Sequence, residues 1–110
     1  MNRKIALLFG SLLLASSGAG AAAVDSDAAQ ALMKKSNCSK CHALDKMKDG
    51  TPYQETAKKY RGKADAEQKL YIHLTTNPKV KVEGKEEEHA NLKTKKEEDA
   101  RNVVRWILSR

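Results

Sequence analysis

The 110 residues of this chain limit it to one small domain. Aromatic side chains make up 5% of the sequence and charged ones 32%, so the polypeptide alone is short of core, and at this size a disulfide, a metal or a cofactor commonly supplements it. The net charge of +7 comes with many lysines but without interleaved aromatic residues, which argues against a surface for nucleic acid.

The chain opens with MNRKIALLFGSLLLASSGAGAAA, in which Arg3 and Lys4 precede an apolar run from Ile5 to Leu14 and then small residues. This is the pattern of a cleaved secretory leader over residues 1–23. The apolar run falls short of the about 20 residues that span a bilayer, and Ala19-Gly20-Ala21 or Ala21-Ala22-Ala23 supplies a small-x-small cut. Cleavage after Ala23 leaves 87 of the 110 residues as a domain over residues 24–110, exported to the periplasm and with no transmembrane segment of its own. Losing Arg3 and Lys4 takes the 21 basic side chains to 19 against 14 acidic ones, a net charge of +5.

No stretch after the leader reads as strand. Ser26, as an N-cap, opens a helix that places Ala28, Ala31, Leu32 and Met33 on one side and ends at a cysteine motif. A second helical piece runs from Pro52 to Tyr60, and a third from about Ala64 to Thr75 with Ala66, Leu70, Ile72 and Leu74 as its apolar positions, stopped by Asn77-Pro78. From Pro78 to Lys93 there is no sustained period, so the segment reads as a long loop despite the alternation around Val80 and Val82; loops of that length are usually functional. Thr94 and Glu97 have capping-box spacing, and Ala100, Val103, Val104, Ile107 and Leu108 form one stripe of a terminal helix over residues 95–108.

The motif itself is Cys38-Ser39-Lys40-Cys41-His42, which holds the only two cysteines. Two thiols at this spacing can add to the two vinyl groups of a porphyrin while the following imidazole meets the iron, which is covalent attachment of one haem c. Three rivals compete, and each lacks something. A plain disulfide leaves His42 unexplained, and a thioredoxin-like pair has no βαβ context. A zinc site wants four ligands at regular spacing, whereas the other two histidines lie 31 and 47 residues beyond His42. Export to the periplasm, which haem attachment requires, favours the haem reading.

The order of C-x-x-C-H, then GTPYQETAKKY, a middle helix, a variable loop and a closing VVRWILSR resembles a small bacterial class I c-type cytochrome over nearly all of the mature chain. The resemblance implies an all-α fold of three to five short helices around one covalently bound haem, with the first and last helices packed together and Trp106 near the haem or the first helix. It implies a soluble electron carrier and not an enzyme; a haem-based gas-binding or sensor module, or a haem subunit of a larger periplasmic oxidoreductase, are the alternatives. One departure is Gly50-Thr51-Pro52-Tyr53 where the family has Gly-Pro-x-Tyr, which leaves open which residue supplies the backbone carbonyl that orients the proximal imidazole of His42.

A second departure concerns the sixth iron ligand, in this family usually a methionine of the loop before the terminal helix. That loop has no methionine. Met1 leaves with the leader, Met33 precedes the motif, and Met47 is five residues past His42; Met33 and Met47 are expected to pack in the core or at the haem edge. His89, 17 residues before Trp106, stands where the family's methionine stands and is the expected distal ligand. The plainer reading of His89 is a solvated side chain in the acidic run from Glu86 to Glu88, and His73 is the rival ligand, read as a half-buried side chain of the third helix. A bis-histidine iron has a lower reduction potential than a His/Met one. Lys34, Lys35, Lys40, Lys46 and Lys48 around the motif form a basic rim suited to redox partners with acidic docking surfaces, although solubility alone accounts for them equally well.

Overall fold

The computed structural model describes residues 23–110, so the leader expected over residues 1–23 lies outside the described residues except for Ala23. In chain order the elements are helix α1 (Ser26–Lys35), a 3-10 turn (Cys38–Lys40), α2 (Tyr53–Tyr60), α3 (Ala66–Thr75), strands β1 (Lys79–Val82) and β2 (Lys85–Glu88), and α4 (Glu97–Leu108).

Helix α1 starts one residue away from the expected cap. Asp25 is the N-cap, its Oδ1 accepting the Ala28 N–H at 3.0 Å, because a carboxylate there satisfies an orphan amide and also meets the positive end of the helix dipole. Lys34 and Lys35 complement the other end. Ser26 is left free for a different task, accepting the indole N–H of Trp106 at 3.1 Å.

Helix α4 is the hub, and α1, α2 and α3 each pack on it. Its stripe of Ala100, Val103, Val104, Trp106 and Ile107 is buried and meets Ala29 and Met33 of α1, Leu70 and Leu74 of α3, and Leu92. Ala29 and Val104 are fully enclosed. Asn102 ties the start of the domain to α4, receiving the Asp25 N–H and donating to the Asp25 carbonyl, both at 2.9 Å. The first and last helices are therefore packed as the resemblance implies. Trp106 is buried at the α1 end of this core, so Trp106→Ala should cost roughly 3–5 kcal/mol. A thermal melt showing less than about 1 kcal/mol of loss would place the ring outside the core.

Three sequence expectations are corrected here. The Thr94–Glu97 capping box does not form: α4 begins at Glu97 after Lys96, Thr94 Oγ1 accepts the Lys96 N–H at 3.1 Å, and Glu97 pairs with Arg101 at 2.8 Å. Ile72 is 47% exposed, because α3 turns only its Ala66, Leu70 and Leu74 face to α4. The segment after Pro78 is no featureless loop but an antiparallel hairpin, in register Lys79 with Glu88 and Lys81 with Glu86.

The hairpin has a physical basis that hydrophobic periodicity does not register. Glu83 and Gly84 form a two-residue connection with φ of 50° and 79°, and positive φ at both positions is the type I′ geometry whose twist matches that of paired strands. The exposed face sets lysines opposite glutamates across the strands, an arrangement of opposite charges that favours this register over one with like charges facing. On the other face Val80 and Val82 are half-buried.

Candidate functional site

The cysteine motif leaves α1 through Asn37, which is in the left-handed region at φ 58°. The Cys38 carbonyl then accepts both the Cys41 N–H at 3.2 Å and the His42 N–H at 3.0 Å. This single turn brings Cys38, Cys41 and His42 together, all half-buried. The two thiols are not joined to each other, and burial pushes the Cys38 thiol above its ordinary pKa.

The His42 ring is held on three sides. Its Nδ1–H donates to the Thr51 carbonyl at 2.8 Å; a carbonyl can only accept, so the proton sits on Nδ1 and Nε2 is left as a free lone pair. Thr51 thus provides the orienting carbonyl, which the altered Gly-Thr-Pro-Tyr order had left open. Gly50 lies against the ring, where an added Cβ would stand 2.6 Å from Nδ1 and 2.8 Å from Nε2, so no larger residue fits without displacing the imidazole. Tyr53 stacks on the ring with ring centres 5.5 Å apart and planes 25° apart, and itself meets Trp106 edge-on at 5.6 Å. Burial, with Cys38 alongside, drives the Tyr53 hydroxyl far above its usual pKa, so it stays a neutral phenol. The segment that carries these groups is fastened by Gly50 N–H to Cys41 O at 2.7 Å, Tyr53 N–H to Ala43 O at 3.0 Å and Lys48 Nζ to Ser39 O at 2.5 Å.

His89 follows β2 directly and faces this ring. The His42 and His89 ring centres are 6.2 Å apart with planes inclined by 52°. Two imidazoles that bind one metal from opposite sides, each nitrogen about 2 Å from it, have ring centres roughly 6 Å apart. His89 is half-buried and does not share the solvation of Glu86, Glu87 and Glu88. Its Nδ1 is buried without a hydrogen-bond partner, and burial, with His42 facing it, holds its pKa below the ordinary histidine value. His73 is half-buried, as its helix position suggested, and lies ring to ring with His89 at 4.3 Å; burial first, then His89 and His42, lower its pKa as well.

Other expected positions divide. Met33 is buried in the α1 and α4 core, whereas Met47 is 72% exposed and is no part of that core. Among the described residues no three His, Cys, Asp or Glu side chains converge on a metal position. Lys34, Lys35, Lys40, Lys46 and Lys48 are all exposed. No helix among the described residues is long and apolar enough to cross a membrane. The donor set fits a haem c: two unbonded thiols in one turn, an imidazole with a free Nε2, and a second imidazole facing it. The sequence located the segment Gly50-Thr51-Pro52-Tyr53 but left open which carbonyl orients His42, and it did not indicate the close approach of Gly50 to the ring.

Comparison with known proteins identifies the family. The Cytochrome c family model matches residues 26–110. Among solved structures the chain is similar to the class 1 cytochrome MtoD from Sideroxydans lithotrophicus ES-1, with 54% identity, a TM-score of 0.75, and coverage of 79% of this chain and 97% of that one. It is also similar to wild-type cytochrome c552 from Nitrosomonas europaea, with 25% identity, a TM-score of 0.57, and coverage of 73% and 96%. No curated protein matches.

Proposed function

Because this chain belongs to the cytochrome c family, whose small class I members are monohaem electron carriers with one covalently attached haem c, we propose that it is a low-potential, bis-histidine carrier of the periplasm. In this reading residues 1–23 are the cleaved leader and residues 24–110 the cytochrome domain. Cys38 and Cys41 supply the two thioethers, His42 is the proximal iron ligand and His89 the distal one. The observation that supports this ligand pair is the 6.2 Å separation of the two facing imidazoles.

Bound haem supplies exchange of one electron between ferric and ferrous iron. The chain supplies the rest. Thr51 fixes the tautomer of His42 and makes Nε2 a stronger donor by accepting the Nδ1 proton. His89, an imidazole in place of a thioether, favours the ferric state and lowers the potential. With His42 and His89 both engaged, the chain offers no open position to dioxygen or peroxide, which suits a carrier better than an enzyme. The exposed lysines beside the motif would steer partners with acidic docking surfaces at low salt.

The oxidised and reduced absorption spectra test the ligand pair. The oxidised protein should lack the weak absorption at the red end of the visible range that an Fe(III)–thioether bond gives, and carbon monoxide should shift the Soret band of the reduced protein only slowly, not on mixing. A thioether band would remove His89 from the iron. Immediate carbon monoxide binding would favour the gas-binding alternative.

A further inference from the structure

His89 sits at the end of a two-stranded ribbon and not on a helix. It ends an exposed excursion, residues 78–90, that leaves the core after α3 and rejoins it at Leu92, which is buried and whose N–H bonds the Leu74 carbonyl at 2.9 Å. Both edges of the two-stranded ribbon are unpaired, and such a ribbon is marginal by itself. Four hydrogen bonds close its base. The Asn77 N–H donates to Asn91 Oδ1 at 2.7 Å, and Asn91 Nδ2 returns a bond to Asn77 Oδ1 at 2.9 Å. Asn77 Nδ2 donates to the His89 carbonyl at 2.9 Å, and the His89 N–H donates to the Pro78 carbonyl at 2.8 Å. Both backbone groups of His89 are therefore held, one by the Asn77 side chain and one by its neighbour. Asn77 is in the left-handed region at φ 46°, which asparagine tolerates, and its backbone and side chain both bond to residues 89 and 91 from there.

We propose that Asn77 and Asn91 are positioning residues, a clasp that keeps the imidazole of His89 opposite His42 and so slows release of the distal ligand. The clasp rests on the reading of His89 as that ligand. It acts by removing loop freedom before the ligand binds, so that coordination does not have to restrain the whole excursion each time. The clasp reaches His89 only through its backbone carbonyl and N–H.

The test uses the full haem-loaded protein and the rate at which carbon monoxide displaces the sixth ligand from the reduced form. Asn77→Gly keeps the left-handed backbone and removes the clasp side chain; Asn91→Ala removes the other half. Each should speed uptake by about 5–30-fold, as expected for the loss of a few exposed hydrogen bonds. The double variant should be no faster than the faster single one, because either change alone opens the same clasp. Asn77→Asp, which keeps the acceptor and loses the donor to His89, should fall between wild type and Asn77→Gly. Val103→Ala weakens the core without removing any of the four hydrogen bonds of the clasp and should leave the rate unchanged. Equal acceleration in Val103→Ala would make the effect a matter of global stability and overturn the proposal. So would clasp variants within twofold of wild type when His89→Ala binds carbon monoxide on mixing, a result that leaves the ligand reading intact. If wild type already binds it as fast as His89→Ala, the ligand reading fails and the clasp with it.

Discussion

His89→Met should bring in the red absorption of an Fe(III)–thioether bond and raise the reduction potential by at least about 59 mV, a tenfold change in the one-electron equilibrium. The sign follows from the donor: a thioether gives less electron density than an imidazole and so stabilises ferrous relative to ferric iron. His89→Ala should open the sixth position, and the reduced protein should then bind carbon monoxide on mixing. His73→Ala should do neither, since the His73 ring packs on His89 at 4.3 Å while His89 is the ring set 6.2 Å from His42. Visible spectra and a redox titration of the three variants decide the matter. If the two alanine variants exchange behaviour, His73 is the ligand and the excursion after α3 has another purpose.

The second large effect should come from the thiols. Replacing both Cys38 and Cys41 by alanine should abolish covalent attachment and leave a chain without stable helical structure, whereas either single replacement leaves at most one thioether. The reason lies in the size of the core. Of the buried apolar residues Ala29, Ala57, Ala66 and Ala100 are alanines, and the largest side chains wholly enclosed are Val103 and Val104. A domain packed this thinly depends on its bound cofactor, which stabilises the folded state by mass action and fills volume that the side chains do not. Acid-acetone extraction and far-ultraviolet circular dichroism provide the readout. Free extraction of haem from the wild-type protein, or a double variant that keeps its helical signal, would contradict the expectation.

The helices were legible in the sequence because their apolar positions recur at helical spacing and face one hub. Ala100, Val103, Val104 and Ile107 of the α4 stripe are buried as the pattern indicates, with Leu108 half-buried at its end, and Cys38, Cys41 and His42 share one turn as their spacing requires. Ile72 defeated the same logic, because one apolar residue on a short helix does not reveal which of two faces is covered. The hairpin was hidden for a different reason: β2 is Lys-Glu-Glu-Glu, with no apolar residue to alternate, so its order comes from the positive-φ turn and from pairing with β1. The supports of His42 were out of reach because a backbone carbonyl and an absent side chain leave no chemical label in a sequence. The 6.2 Å approach of His42 and His89 spans 47 residues, and what brings His89 there is the fold, not any local motif.

The turn at Glu83 and Gly84 has nothing within 4 Å of the place where a Gly84 side chain would begin, and the clasp closes the ribbon well before that tip is reached. Lengthening a loop by a few residues adds little closure entropy. The tip is therefore the natural insertion point of this molecule, a position where an affinity tag, a fluorophore or an electrode tether could be grafted while the electron-exchanging centre keeps its ligands.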